Sequence, residues 1–459
     1  MTKNSLTEGS VFKALLAFSF PIIITNTITV LFHAADVAVL SLFAQGPAVA
    51  AVGACGSLIT LMVALFTGLS TGANVLISKR IGANDELGTK KSIGTSLVIG
   101  LMSGIILMLI SLIFARTFLV LMNCQPEVLD MATLYMKIYF LGAPIMMLNT
   151  FSIAILRSSG DSVRPMIYSI LSGFVNIFAN IFFVTVCNMT VEGVAIATVC
   201  SSALSLVLTL IRLISSKGIC KIDYAHLRIY KNELAEIVRV GIPTCLSSLS
   251  FFAANVVLTS AVNSMGTNAM TANAISSQFD SIIYTVGAAI ATAASVMVAQ
   301  NFGAVQLDRI KKTVLTGILY VTAVSVCLGV TFVLFAEPLL RILTDSTDVI
   351  AIAKDRMTLL CLTYFITSIM EVFSFCLRAI KRQKSTIVVG VICGFCIRAG
   401  WRWFVWPLNP TLSMLYACYA ISAGIAIAIY FFIYKNALKT LSAEFDEKLA
   451  ASRLCESAI

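Results

Sequence analysis

"TGANVLISKRIGANDELGTKKS" at residues 71–92 and "TAASVMVAQNFGAVQLDRIKKT" at residues 292–313 are two versions of one segment, 221 residues apart. Gly82-Ala83 meets Gly303-Ala304, and Lys90-Lys91 meets Lys311-Lys312. With no gap introduced, the same register lays Phe114-Ala115 on Phe335-Ala336, Leu156-Arg157 on Leu377-Arg378 and Gly173-Phe174 on Gly394-Phe395. Upstream, "FSFPIIIT" resembles "VGIPTCLS" at a shift of 222, which pairs Pro21 with Pro243. A register held this long marks an internal duplication, so the chain is read as two copies of one unit.

What each copy contains follows from composition. Of 459 residues, 59% are hydrophobic and 12% charged, too little charge to cover a soluble protein of this length. Apolar runs long enough to cross a hydrocarbon core of about 30 Å recur throughout. Twelve spans are expected, at 14–43, 48–77, 93–115, 128–156, 165–187, 192–214, 237–263, 270–299, 314–336, 349–377, 386–407 and 411–434. The fold class is therefore an all-α polytopic membrane protein, with six spans in each copy. An even number means that both copies enter the bilayer from the same side, giving two parallel six-helix lobes around a central cavity. The expected division is an N-terminal lobe 1–214, a linker 215–236, a C-terminal lobe 237–434 and a tail 435–459. The charged linker "SSKGICKIDYAHLRIYKNELAE" is expected to form a short surface helix.

Loop charge sets the orientation. Connections after the even-numbered spans carry Lys79, Arg80, Lys90, Lys91, Arg157, Arg164, Arg309, Lys311, Lys312, Arg378 and Lys381, whereas the odd ones are short, uncharged or acidic. The positive-inside rule places both termini in the cytoplasm and the chain in the cell membrane. The formal net charge of +10 is then accounted for by topology, with no nucleic-acid partner required. The start "MTKNSLTEGSVFKALLAF" shows no cleavable signal pattern. The thirteen cysteines have no paired framework, and most read as small buried hydrophobes. "CGFC" at Cys393–Cys396 lies inside an apolar helix, and Cys124 and Cys187 fall near outer loops. No "GxxxxGK[ST]" phosphate loop is present, so ATP hydrolysis has no support and no enzymatic activity is expected.

Function is sought in the polar residues inside the spans, because hydrocarbon makes them costly. In "LFHAADVAVL", residues 31–40, Asp36 is a carboxylate within the first span. Desolvation favours the neutral acid, which suits reversible proton uptake, whereas sodium would need several oxygens converging on the same point. His33 lies three residues earlier on the same helix face, as a hydrogen-bond partner or co-titrating group.

With these residues in place, the chain resembles multidrug and toxic compound extrusion (MATE) transporters over essentially its whole length. The likeness is carried by Pro21 followed by an intramembrane carboxylate, and by the duplicated Gly-Ala turns at Gly82-Ala83 and Gly303-Ala304. "LRSSGD" at 156–161, "NIFANIFFV" and "VEGVAIATV" add to it. The resemblance implies a proton- or sodium-coupled antiporter without cofactor, exporting small amphipathic, mainly cationic compounds as a monomer. It also places the coupling ion at Asp36, which would be the Na⁺ ligand if sodium is used. Asn176, Asn180 and Thr198 match the accompanying network, with Asn180 standing where one branch of the family has an Asp. The second lobe lacks the Glu that another branch carries early in span seven.

In the second lobe, Asp280, Gln278 and Glu371 are candidates to line the cavity. Arg398, deep in "CIRAGWRWFVW", requires an anionic partner, for which Asp280 or Glu371 are available. Arg402 is expected to snorkel among Trp401, Trp403 and Trp406 in an interfacial belt. The competing readings are a lipid-linked oligosaccharide flippase of the wider group, which would need a strongly cationic cavity and usually more spans, and a channel, for which no filter sequence is present.

Overall fold

The structure is a computed structural model that describes residues 6–43, 46–122, 124–216 and 218–457. Its helices are α1 (Val11–Phe43), α2 (Gly46–Gly82), α3 (Glu86–Leu121), α4 (Pro126–Leu141), α5 (Ala143–Ser158), α6 (Val163–Ile181) and α7 (Val191–Ile214) in the first copy. The second has α8 (Lys231–Asn263), α9 (Thr267–Gly303), α10 (Leu307–Leu334), α11 (Ala336–Arg341), α12 (Thr347–Ala379), α13 (Gln383–Val391), α14 (Ile397–Gly400) and α15 (Leu412–Ser457). Eleven helical segments among the described residues are long and apolar enough to cross a membrane. The twelfth span is α4 with α5, bent by 48° at Gly142. Pro144, in the first turn of α5, has no N–H to donate and cannot continue α4 without a clash, which accounts for the break.

The chain packs into two compact units. The N-terminal unit is Phe20–Ile81 with Asp85–Cys245, and the C-terminal unit is Leu246 onward with the chain up to Ser19 and Gly82–Asn84. The two cores are copies of each other: Ala115, Leu119 and Met136 are buried in one, and Ala336, Leu340 and Met357 in the other. Asn74 Nδ2 donates to Ala154 O at 2.9 Å in the N-terminal unit, and 221 residues on Ser295 Oγ donates to Phe375 O at 3.2 Å.

The duplication extends to backbone conformation. Asn84 and Val305 both take positive φ, 54° and 58°, and Gly160 and Lys381 do so at 83° and 65°. Asn and Gly tolerate that region, but a β-branched valine pays about 1–2 kcal/mol for it. The turn geometry has thus been retained at Val305 although the residue type that suits it has been lost.

The linker does not form the expected surface helix. Among the described residues it makes a turn at Gly218–Lys221 and one 3₁₀ turn, Tyr224–His226, before α8 begins at Lys231. Its polar groups find partners on α2 and α3 instead. Glu233 is buried, accepting from Arg80 Nη2 at 2.9 Å and from Ser92 Oγ at 2.8 Å, and Lys90 pairs with Asp223 at 3.5 Å. Burial of this linker pushes the Cys220 thiol up to about 12.

Two outcomes follow. Replacing Val305 with Asn should raise stability by about 1 kcal/mol, read as an increased melting temperature of the detergent-solubilised chain; an unchanged or lower value would remove the strain argument. Maleimide labelling at pH 7.5 requires thiolate, which at Cys220 is depleted about a thousandfold relative to an ordinary thiol. Cys220 should therefore react far more slowly than the exposed Cys187 until the linker is unfolded.

Candidate functional sites within the two units

In the N-terminal unit, Asp36 from α1 is buried beside Asn176 and Asn180 of α6. The two asparagines are four residues apart and therefore share one helix face. Asn180 Nδ2 donates to Asp36 Oδ1 at 2.5 Å and to Asn176 Oδ1 at 3.3 Å. Asn176 Nδ2 in turn reaches Thr198 Oγ1 of α7 at 3.5 Å, and Thr198 donates to Val194 O at 3.0 Å. The sequence-expected residues Asp36, Asn176, Asn180 and Thr198 are thus brought together. The side chain of His33 lies outside the described residues.

Hydrogen-bond polarity gives this cluster its chemistry. Both donors of one amide are spent on carboxylate and amide oxygens, while Asn180 Oδ1 is buried without a partner. A fully buried acceptor left unsatisfied is uncommon and costs about 1–3 kcal/mol. The site therefore holds a carboxylate and, next to it, a buried amide oxygen able to accept. Tyr135 and Tyr139 of α4 lie within electrostatic reach of Asp36. Sequence reading missed both, since tyrosines on an apolar helix carry no signal that distinguishes site from core.

The C-terminal unit arranges its charges differently from the sequence expectation. Asp280 of α9 pairs with Arg356 of α12, not with Arg398: Arg356 Nη1 to Asp280 Oδ1 is 2.9 Å, and Nη2 to Oδ2 is 3.4 Å. Nη1 also donates to Ser276 at 3.0 Å, and the guanidinium lies 4.6 Å from the centre of the Tyr416 ring, whose hydroxyl bonds Asn273. Arg356 went unread because "AKDRMTLL" looks like the polar entrance to a span. A signal was available in depth, for Arg356 and Asp280 lie nine and thirteen residues inside their helices' N-terminal ends. The reach of an arginine covers that difference. Gln278, two residues from Asp280 and about 200° round the helix, is exposed.

Arg398 is 1% exposed. Its Nε donates to Ser422 Oγ at 3.2 Å, its guanidinium stacks 4.3 Å from the Tyr419 ring and 5.0 Å from Phe251, and Nη1 has no partner. One hydrogen bond to a charged group contributes about 1.5–3 kcal/mol and each ring about 0.5–2 kcal/mol. Desolvating the guanidinium costs several kcal/mol, the same order as these contacts contribute, and Nη1 adds nothing to the favourable side. Glu371 is partly buried and makes no ion pair with Arg398 among the described residues, although the two interact electrostatically. In the expected tryptophan belt, Arg402 stacks 4.3 Å from the Trp406 ring. Trp401 and Trp406 donate inward to Met414 O and Thr411 O, at 2.8 and 3.1 Å, and only Trp403 of the three is exposed.

Helices of this length with charged and amide groups held inside them make a polytopic membrane protein, and known proteins share the build. A MATE transporter crystallised in a bent conformation matches with a TM-score of 0.90 at 21% identity, over 97% of this chain and 100% of that one. In sequence, the chain is 25% identical to the probable multidrug resistance protein YoeA of Bacillus subtilis, covering 81% of this chain and 82% of the relative. It is 22% identical to the multidrug export protein MepA of Staphylococcus saprophyticus, covering 85% and 86%. The MatE family model matches residues 21–182 and 243–400, once in each copy, beginning at the paired prolines. The chain belongs to the MatE family of multi-pass membrane transporters.

The buried pair gives a direct test. At the repeat-related positions the N-terminal unit has Ile59 and Tyr135, so the scaffold packs without charges there. Asp280→Ile or Arg356→Tyr alone should cost about 3–5 kcal/mol by stranding one charge. The double substitution should recover most of that loss in thermal melts. Additive losses in the double variant would show that the pair is not the relevant interaction.

Proposed function

We propose that the chain is an ion-coupled secondary antiporter that exports small amphipathic, mainly cationic compounds across the cell membrane by alternating access, with both termini cytoplasmic and the monomer as the working unit. Its parts are the two six-helix lobes of the duplication, and its coupling carboxylate is Asp36. The names of the relatives, multidrug resistance and multidrug export proteins, support the export of drugs. The observation that carries the coupling role is the Asp36–Asn180 contact together with the unpartnered Asn180 Oδ1.

The chemistry follows from the amide. With Asp36 ionised, the Asn180 NH₂ group faces it and donates. When Asp36 takes a proton it becomes a donor, and Asn180 answers by turning its amide over to present Oδ1. Sodium would draw on the same two oxygens, with Asn176 and Thr198 contributing further ones. Either ion replaces a hydrogen bond in which α6 donates with one in which it accepts. Loading is thereby transmitted from α1 through Asn180 and Asn176 to α7. Asn180 holds no proton of its own to exchange, so one carboxylate carries the coupling.

Ethidium efflux from proteoliposomes, driven separately by an imposed proton gradient and an imposed sodium gradient, tests the reading. One gradient should drive efflux in the native chain, and Asp36→Asn should abolish that response while leaving the folded protein intact. Efflux that survives the substitution removes Asp36 from coupling; efflux driven by neither gradient removes the antiporter.

A further inference from the structure

The repeat relates the Asp36 cluster to a second polar cluster, in the C-terminal unit. At a shift of 221, Thr198 corresponds to Tyr419 and Ser201 to Ser422. Arg398 stacks on the first of these and hydrogen-bonds the second. Span eleven contains a π-helical turn at Ile392–Cys396, just before Arg398, where span five is still regular α-helix. A π turn takes one extra residue, which advances the register by one. With that residue counted, Arg398 stands where Asn176 stands. Asn176 bonds Thr198, and Arg398 covers Tyr419. Tyr419 then donates to Asn255 Oδ1 of α8 at 2.6 Å, as the first cluster continues to α1.

The two clusters are built alike and carry opposite charge. In the N-terminal unit the cluster holds a carboxylate beside a buried amide acceptor, Asn180 Oδ1. In the C-terminal unit a guanidinium with a spare donor, Nη1, is buried between two aromatic rings. Glu371 makes no ion pair with Arg398 among the described residues, and Arg378 also acts on its carboxylate. Asp280 is committed to Arg356. Phe251 is only partly buried and stacks on Tyr284, 5.9 Å away and nearly parallel. One ring of the cover over Arg398 thus reaches the accessible surface.

We propose that Arg398 is the anion-binding residue of a second ligand site, within the C-terminal unit, that takes the carboxylate of a small aromatic or amphipathic compound. Nη1 donates to the carboxylate, Ser422 fixes the fork through Nε, and Phe251 and Tyr419 pack the apolar body of the ligand. A zwitterion or an organic anion would use this site, and a simple cation would not. The proposal stands apart from the coupling role of Asp36, which uses no residue of this cluster.

The test is saturable thermal protection of the full-length chain in lipid nanodiscs, with 2-naphthoate as the probe and 2-naphthylmethylammonium as its cationic counterpart. The carboxylate should protect the native protein, and Arg398→Gln should abolish that protection while leaving any response to the cation unchanged. Arg398→Lys keeps the charge and loses both the planar fork and the Nε bond to Ser422. It should raise the half-protecting concentration at least about tenfold, and it decides the matter if Arg398→Gln does not fold. Equal protection of the native, Gln and Lys forms, or no protection of the native protein by 2-naphthoate, would overturn the proposal.

Discussion

A charge in hydrocarbon has to be matched within the protein, since the bilayer core offers no water to do it. That constraint orders the interior of both units. Where a partner is at hand the charge is structural, as with Arg356, which spends its guanidinium on Asp280 and Ser276 and lies against Tyr416. Even so, some buried polar atoms are left without partners, among them Nε of Arg356, Asn180 Oδ1 beside Asp36 and Nη1 of Arg398. A buried polar atom without a partner is a standing cost, and a transported ion or ligand is a means of relieving it in one state and not in another.

The duplication shows which features the scaffold requires. The positive-φ turns at Asn84 and Val305 recur, although valine is poorly suited to that conformation, so the turn geometry is kept where its residue preference is not. The small-residue cores recur, with Ala115 and Ala336, and Leu119 and Leu340, in matching places. The charges of the two polar clusters and of the buried ion pair do not recur, whereas Arg157 and Arg378 do. Asp36 falls opposite Val257 or Leu258, and Asp280 and Arg356 fall opposite Ile59 and Tyr135. Helices, turns and cores therefore belong to the common unit, and Asp36, Asp280 and Arg356 to one copy each.

This separation also explains how much could be read from sequence. The helical membrane fold was legible because span length, apolar composition and a gap-free repeat are properties of whole segments. The first cluster was legible in part, since Asp36 is conspicuous in an apolar run and Asn176 and Asn180 share a helical face. The partner of Asp280 was not legible. Pairing between spans depends on helix rotation and depth, and Arg356 lies in a run that reads equally well as an interfacial entry. Arg398 was visible as a deep cation, but its surroundings depend on π turns that shift the register by a residue, and no residue type in "VICGFCIRAG" announces them. The linker was misread for a simpler reason: its charges are used against α2 and α3, with Asp223 paired to Lys90, and Glu233 at the start of α8 is buried on Arg80 and Ser92.

A π turn is a costly way to place a side chain, because it weakens helix hydrogen bonding and is retained mainly where a register shift is useful. Span five has one, Phe182–Val186, following Asn180, and span eleven has one in the corresponding region, Trp401–Val405. That turn belongs to the shared plan. The additional turn at Ile392–Cys396 is present in span eleven, where it carries Arg398 onto the face that Asn176 occupies in span five. Without the inserted residue the guanidinium would rotate by about 100°, away from Ser422 and Tyr419. The register change and the charge change thus act on the same position, and both are needed for Arg398 to reach Ser422 and Tyr419.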